Sequence, residues 1–290
     1  MSKLTDQCLT TELASSPVVS NTPARLRRNT DYSPGTAVAL MAHIKWHVFD
    51  ENLIAIEPRF TKIFLNKAPP LDRVQAMDLE TSLGFTFKEL VAQISNASAE
   101  KDMYPPIARL FSALTLLVNV DQDDWCLSLP PDKLWMTIKI STCAPLAASN
   151  DHPSNMSDLG SVPAMEDSIR EFVKSAKRPS SFILDWGSMC STSEARKRCM
   201  PTKDSNATFG EKTQAVSYAW SCLRHQVNCS GFLAFYACLD GVQLIWYGVS
   251  RVKISPSFKW DDFNTLFSFI YVTHRKENML EDTRLRLGLD

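Results

Sequence analysis

Residues 210–258 read GEKTQAVSYAWSCLRHQVNCSGFLAFYACLDGVQLIWYGVSRVKISPSF, and their pattern decides the fold class. Val216, Ala219, Trp220 and Leu223 recur at spacings of three and four, which predicts a helix over 212–226 with one apolar face. Gly231–Leu239 and Val242–Ile254 then read as strands, joined by Asp240-Gly241, a strong two-residue hairpin signal. Ser255–Phe258 turns out of the sheet, and Trp260–Val272 carries Phe263, Leu266, Phe267 and Ile270 at helical spacing.

Working back from this unit, Ser180–Gly187 is mostly apolar and reads as a central strand. Ala164–Lys177 is a short amphipathic helix ended by Pro179. Residues 141–163 hold Pro, Ser, Asn and Gly and read as a loop, and residues 188–210 read as a polar link with a basic patch at Ala195–Arg198. Lys133–Ile140 suits a strand that follows Pro130-Pro131-Asp132. Over 99–118, Ile107, Leu110, Phe111, Leu114 and Leu117 predict a core-facing helix, with Pro105-Pro106 in its first turns. Residues 71–97 read as one amphipathic segment centred on Phe87, Leu90, Val91 and Ile94, and helices are expected at 36–49 and 58–66.

The expected fold class is therefore α/β (α+β). A central mixed sheet of about four or five strands is flanked by helices, behind a helical N-terminal layer. The expected organisation is a disordered lead at 1–35, rich in Ser, Thr, Asn and Pro, the helical layer at 36–98 and the α/β domain at 99–290.

Composition narrows the function classes. Across 290 residues, 44% are hydrophobic and 22% charged, ordinary values for a globular protein. With 31 basic and 32 acidic residues the net charge is -1, so nucleic-acid binding would need a local patch. Arg251 and Lys253 alternate with Val252 and Ile254, which is inside/outside strand patterning first and a phosphate contact second. No apolar run approaches the roughly 18 residues that span a bilayer, and the N-terminus has no apolar signal region, so cytoplasm or nucleus is expected. The eight cysteines form no C-x-x-C pair and have no His at a zinc-ligand offset, so free buried thiols are expected. His43 and His47 share a helical face, but the run His-Ile-Lys-Trp-His lacks the glutamate of a zinc protease. No Gly-x-Ser-x-Gly elbow is present. His225 sits at a helix end, where a cation is favoured. Trp246, Tyr247, Phe258 and Trp260 read as core and hairpin packing rather than a base-stacking platform.

Pro131-Asp132, then Asp185-Trp-Gly187, then Gln214-x-x-x-Tyr218 on a helix resembles the PD-(D/E)XK nuclease fold of the RecB-like type. That likeness implies a site of Asp132, Asp185, Gln214 and Tyr218, with Asp132 and Asp185 as ligands of a divalent cation such as Mg2+. The position of the catalytic lysine is Gly187, and Lys139 or Lys212 would have to reach in from elsewhere. A longer resemblance is to the region preceding the kinase domain in fungal-type protein kinases of mushroom-forming fungi. It rests on Thr22–Arg25, Phe60-x-x-x-Phe64-Leu65, Glu100-x-x-Met103-Tyr104, Pro131-Asp132, Phe182–Trp186, Gln214–Ala219, His225-Gln226, Gly248–Phe258 and Leu287–Asp290. No Gly-rich loop, Val-Ala-x-Lys or His-Arg-Asp motif of a kinase occurs in the chain. The resemblances together imply a non-catalytic nuclease-like module, with a protein partner or a kinase domain to regulate and no bound cofactor. A metal-dependent nuclease or nucleic-acid-binding module is the alternative, and a truncated product with no role of its own is a third class.

Overall fold

The computed structural model describes residues 53–55, 68–121, 123, 125, 129–140, 158–177, 189–197, 231–248 and 252–275. The expected helices at 36–49, 58–66 and 212–226, the expected strand at 180–187 and the N-terminal lead lie outside these residues.

A mixed sheet forms the centre. Its strands are β1 (Leu53–Ala55), β2 (Leu134–Lys139), β3 (Leu159–Ala164), β4 (Ser191–Ala195), β5 (Gly231–Cys238), β6 (Gly241–Gly248) and β7 (Val252–Ile254), in the spatial order β1-β7-β6-β5-β4-β3-β2. Strands β2 to β6 make its body, and the three-residue strands β1 and β7 extend one edge. The β2–β3, β3–β4, β5–β6 and β6–β7 pairs are antiparallel, while β4–β5 and β1–β7 are parallel. The α+β reading with a mixed sheet thus holds.

Among the described residues five helices accompany the sheet: α1 (Arg73–Leu83), α2 (Phe87–Ser95), α3 (Glu100–Thr115), α4 (Glu166–Ser175) and α5 (Phe263–Thr273). The segment 71–97, expected as one amphipathic unit, is two helices, because both of its inner ends are capped. Gly84 closes α1 at φ 78, a left-handed conformation that costs glycine little. Thr86 and Glu89 then open α2 with a reciprocal capping box: Glu89 N–H donates to Thr86 Oγ1 at 3.2 Å, and Thr86 N–H to Glu89 Oε2 at 2.7 Å. Pro105 and Pro106 lie inside α3; the carbonyls their missing N–H groups would have met belong to the exposed residues Lys101 and Asp102.

Helix α3 is the hub of the core. Ile107, Leu110, Phe111 and Leu114 are buried against the sheet. Phe111 stacks on Phe235 of β5 at 4.4 Å between centroids and meets Phe269 of α5 edge-on at 5.9 Å, both favourable aromatic geometries. Arg109 ties α3 to α4, donating from Nε to Val173 O at 2.8 Å while its guanidinium lies over the Phe85 ring.

Five further expectations are corrected. Residues 159–163, expected as loop, and Ala164, expected to begin the following helix, form β3. Pro163 is tolerated there because it lies beyond the β3–β4 pairing, which spans Leu159–Ser161. Gly160 leaves room for Ile140 and Met189, whose atoms lie 2.3 and 2.8 Å from where a Cβ would stand. Residues 191–195, read as polar link, are β4, with all five residues buried. The hairpin turns at Leu239-Asp240, and Gly241 is the first residue of β6. Phe258 O lies 2.2 Å from the place of a Gly241 Cβ, so only glycine fits. The run 242–254 is not one strand but two antiparallel ones, β6 and β7. Among the described cysteines Cys190 is a buried thiol outside any disulfide, whereas Cys238 is disulfide-bonded, against the expectation of free thiols throughout.

Strand β2 ends the sheet, and side chains from the helices close its outer edge. Ser112 Oγ donates to Thr137 O and accepts from Thr137 N–H, each at 3.0 Å. Thr115 Oγ1 donates to Trp135 O at 2.9 Å, and Trp135 N–H donates to His274 Nε2 at 3.0 Å. These groups take the place of a neighbouring strand's backbone. Among the described residues no helix is long and apolar enough to cross a membrane.

Candidate functional site

The described residues hold one dense group of ionisable side chains. It forms where the start of β3, the end of β4 and the first turns of α3 converge. Leu159 pairs with Ser193 across the antiparallel ladder, so the next positions outward bring Asp158 opposite Glu194. Ala195 N–H donates to Asp158 Oδ2 at 3.0 Å and fixes that carboxylate beside β4. Two residues past Glu194 stands Arg196, whose N–H donates to Ala237 O at 2.9 Å and continues the alignment of β4 with β5. The guanidinium meets Glu194 Oε1 through Nη2 and reaches Glu100 Oε2 through Nη1 at 2.9 Å. Tyr104, one turn along α3 from Glu100, donates its hydroxyl to Asp158. Lys139, the last residue of β2, holds its ammonium over the Tyr104 ring at 5.2 Å.

Glu194 is 1% exposed, and a carboxylate so buried needs a counter-charge, which Arg196 supplies. Burial works against the charge on Arg196, but the carboxylates of Glu194 and Glu100 outweigh it and hold the guanidinium charged. Burial pushes the Asp158 carboxyl above its ordinary range; the Ala195 N–H, the Tyr104 hydroxyl and Arg196 oppose that shift without cancelling it. Burial, with the charge of Asp158 beside it, also raises Tyr104, so its hydroxyl stays protonated and donating. Each carboxylate of the group is thus met from within it, Glu194 and Glu100 by Arg196 and Asp158 by Ala195 N–H and Tyr104.

Of the residues expected from the sequence, Asp132, Asp185, Gln214 and Tyr218, Asp132 alone is among the described residues. Asp132 is exposed in a turn closed by Lys133 N–H on Pro130 O at 3.0 Å, before β2 begins. Because β2 and β3 are antiparallel, Asp132 stands at the Ala164 end of β3 and the cluster at its Leu159 end. The seven residues from Asp132 to Lys139 put about 20 Å between them along the strand direction, at roughly 3.3 Å per residue. Asp185, Gly187, Lys212, Gln214 and Tyr218 lie outside the described residues. Trp246 and Trp260 are core residues, the latter donating its indole N–H to Cys238 O at 2.7 Å. The residues that do converge were within reach of the sequence in one respect. The acidic-x-basic triplet sought at 185–187 recurs as Glu194-Ala195-Arg196, hidden in a Ser/Thr-rich stretch without strand periodicity.

A magnesium ion takes near-octahedral oxygen coordination. Here the Asp158 carboxylate is engaged by Tyr104 and Ala195, and the Glu194 carboxylate by Arg196. Among the described residues no group of three or more His, Cys, Asp or Glu side chains is disposed around a common point for a metal ion. As arranged, the donor set does not fit magnesium. No protein family, no curated protein and no solved structure matches this chain significantly.

Proposed function

We propose that the chain is a nuclease-like module that binds without cleaving, its carboxylate cluster neutralised from within by Arg196. The observation that carries this reading is the Glu194–Arg196 ion pair, extended to Glu100. Three features support the nuclease-like lineage. Helix α3 is followed by the antiparallel run β2–β3–β4, and β5 returns parallel to β4. One acid, Asp158, immediately precedes β3 and another, Glu194, is the penultimate residue of β4. A cation follows the second acid by two residues, as in the acidic-x-Lys triplet of PD-(D/E)XK nucleases.

The cation is what separates scaffold from chemistry. A lysine can shed its proton when desolvated and help activate water; an arginine keeps its proton at any physiological pH. Arg196 also occupies the carboxylates that a metal would need. Such a module acts by recognition, and the class of partner implied by the pre-kinase resemblance is a protein, a kinase domain above all.

The test is direct. Wild-type protein is titrated with Mg2+ and Mn2+ by calorimetry and incubated with single- and double-stranded DNA and RNA. The expected outcome is no metal-dependent cleavage. Cleavage that is lost in both Asp158→Asn and Glu194→Gln would overturn the reading and establish a metal-dependent nuclease.

A further inference from the structure

His274 follows the last residue of α5 and is wholly buried. Its two ring nitrogens face partners of opposite kind. Nδ1 lies 2.8 Å from Ile270 O, which can only accept, and Nε2 lies 3.0 Å from Trp135 N–H, which can only donate. Those partners dictate a neutral ring with its proton on Nδ1 and a bare Nε2. Trp135 is held at two further points: its indole N–H donates to Thr273 O at 3.1 Å, and its carbonyl accepts from Thr115 Oγ1 at 2.9 Å. The Trp125 ring packs edge-on against the imidazole at 5.9 Å.

We propose that His274 is an acid-sensitive joint between the end of α5 and the edge strand β2, closed by the neutral imidazole and opened by its protonation. A proton on Nε2 would point at the Trp135 N–H, so the bond is lost and two donors confront each other. The freed strand group would then sit in a buried place with no acceptor, which costs more than the bond contributed.

The surroundings make burial the governing influence. The titratable groups on the adjoining segments are Arg275 beside it in the chain, Asp121 and Asp123 on the segment that carries Trp125, and Asp132 and Lys133 in the turn before β2; α3 presents the neutral Thr115. Burial lowers the imidazole from 6.5 to about 4, with the Ile270 carbonyl pulling modestly the other way. An opened joint takes up a proton near pH 6.5, whereas the closed one resists until about pH 4. The closed form is therefore fully favoured above pH 6.5 and loses ground as pH falls from there towards 4.

The experiment is hydrogen exchange at the Trp135 amide, as protection factors from pH 7 to pH 5, in the whole chain. Expected in the wild type is a fall of about 20-fold over that interval, from the linkage of the two proton affinities. In His274→Gln, whose side-chain oxygen accepts the same N–H and does not titrate, the pH dependence should vanish. A flat wild-type profile, or the same fall in His274→Gln, would overturn the joint. Should that variant not fold, the ring-nitrogen shifts of wild-type His274 decide. A native imidazole still neutral below pH 5 supports the proposal, and one that protonates above pH 6 refutes it.

Discussion

Strand β2 meets two different polar environments along its six residues. At its last residue, Lys139, it borders charged groups: Tyr104 on Asp158, and Arg196 between Glu194 and Glu100. At Trp135 and Thr137 it meets neutral ones: two hydroxyls and an imidazole. Desolvating charges costs several kcal/mol per ion even when they end up paired, so a buried ion pair is weak evidence for stability. Neutral hydrogen bonds carry no such penalty, and leaving their partners unmet is what costs. The neutral side of β2 is thus explained by architecture alone. The charged side is not, which is why the functional proposal rests there.

Three substitutions would break or sharpen this contrast. Arg196→Ala should have the largest effect, a loss of about 3 kcal/mol at pH 7, because it strips the counter-ion from a buried carboxylate. Urea unfolding at pH 7 should show this as a lowered midpoint. An unchanged midpoint would mean that the pair is not what holds Glu194 in place. Ser112→Ala comes next, with a loss of about 2 kcal/mol that does not vary between pH 5 and 8, since it leaves the Thr137 N–H and carbonyl without their hydroxyl. A marked pH dependence of that loss relative to the wild type would erase the contrast between the two sides. Asp158→Asn should be the mildest, under about 1 kcal/mol at pH 7. The folded protein holds this carboxyl above its ordinary 3.8, so the ionised group opposes folding once pH rises past that range. An amide keeps an acceptor for Ala195 N–H and does not ionise. A loss comparable to that of Arg196→Ala would show that Asp158 is needed as an anion.

The sequence was most legible where one period dominates. The apolar spacing of Ile107, Leu110, Phe111 and Leu114 predicts α3, and the apolar run from Phe232 to Cys238 predicts β5. It was least legible where burial is achieved by polar residues. Ser191-Thr-Ser-Glu-Ala195 has the composition of a linker, yet it lies between β3 and β5, and only the tertiary pairing makes it a strand. The same cause hid the cluster. Ala195–Arg198 reads as a basic patch on a polar link, and Glu194 does not stand out, because nothing local signals that β4 is covered. Residues 158–163, with Gly160 and Pro163, read as loop because both residues are strand breakers out of context. Gly160 is accounted for by a close approach and Pro163 by the end of a ladder, and neither can be inferred without the neighbours.

The contact between Val242 and Phe258 has a consequence for how the chain orders itself. Their paired backbone bonds, 2.8 and 2.9 Å, join residues 16 apart, whereas the parallel pairing of Ala195 with Ala237 joins residues 42 apart. Loop-closure entropy grows with the logarithm of separation, so the longer connection costs about 0.9 kcal/mol more to close. The hairpin, its turn and the Phe258 crossing form a piece with short-range contacts that is cheap to close. The strand carrying Glu194 must be recruited to it from farther along the chain, so the charged cluster depends on a scaffold whose own closure does not require it.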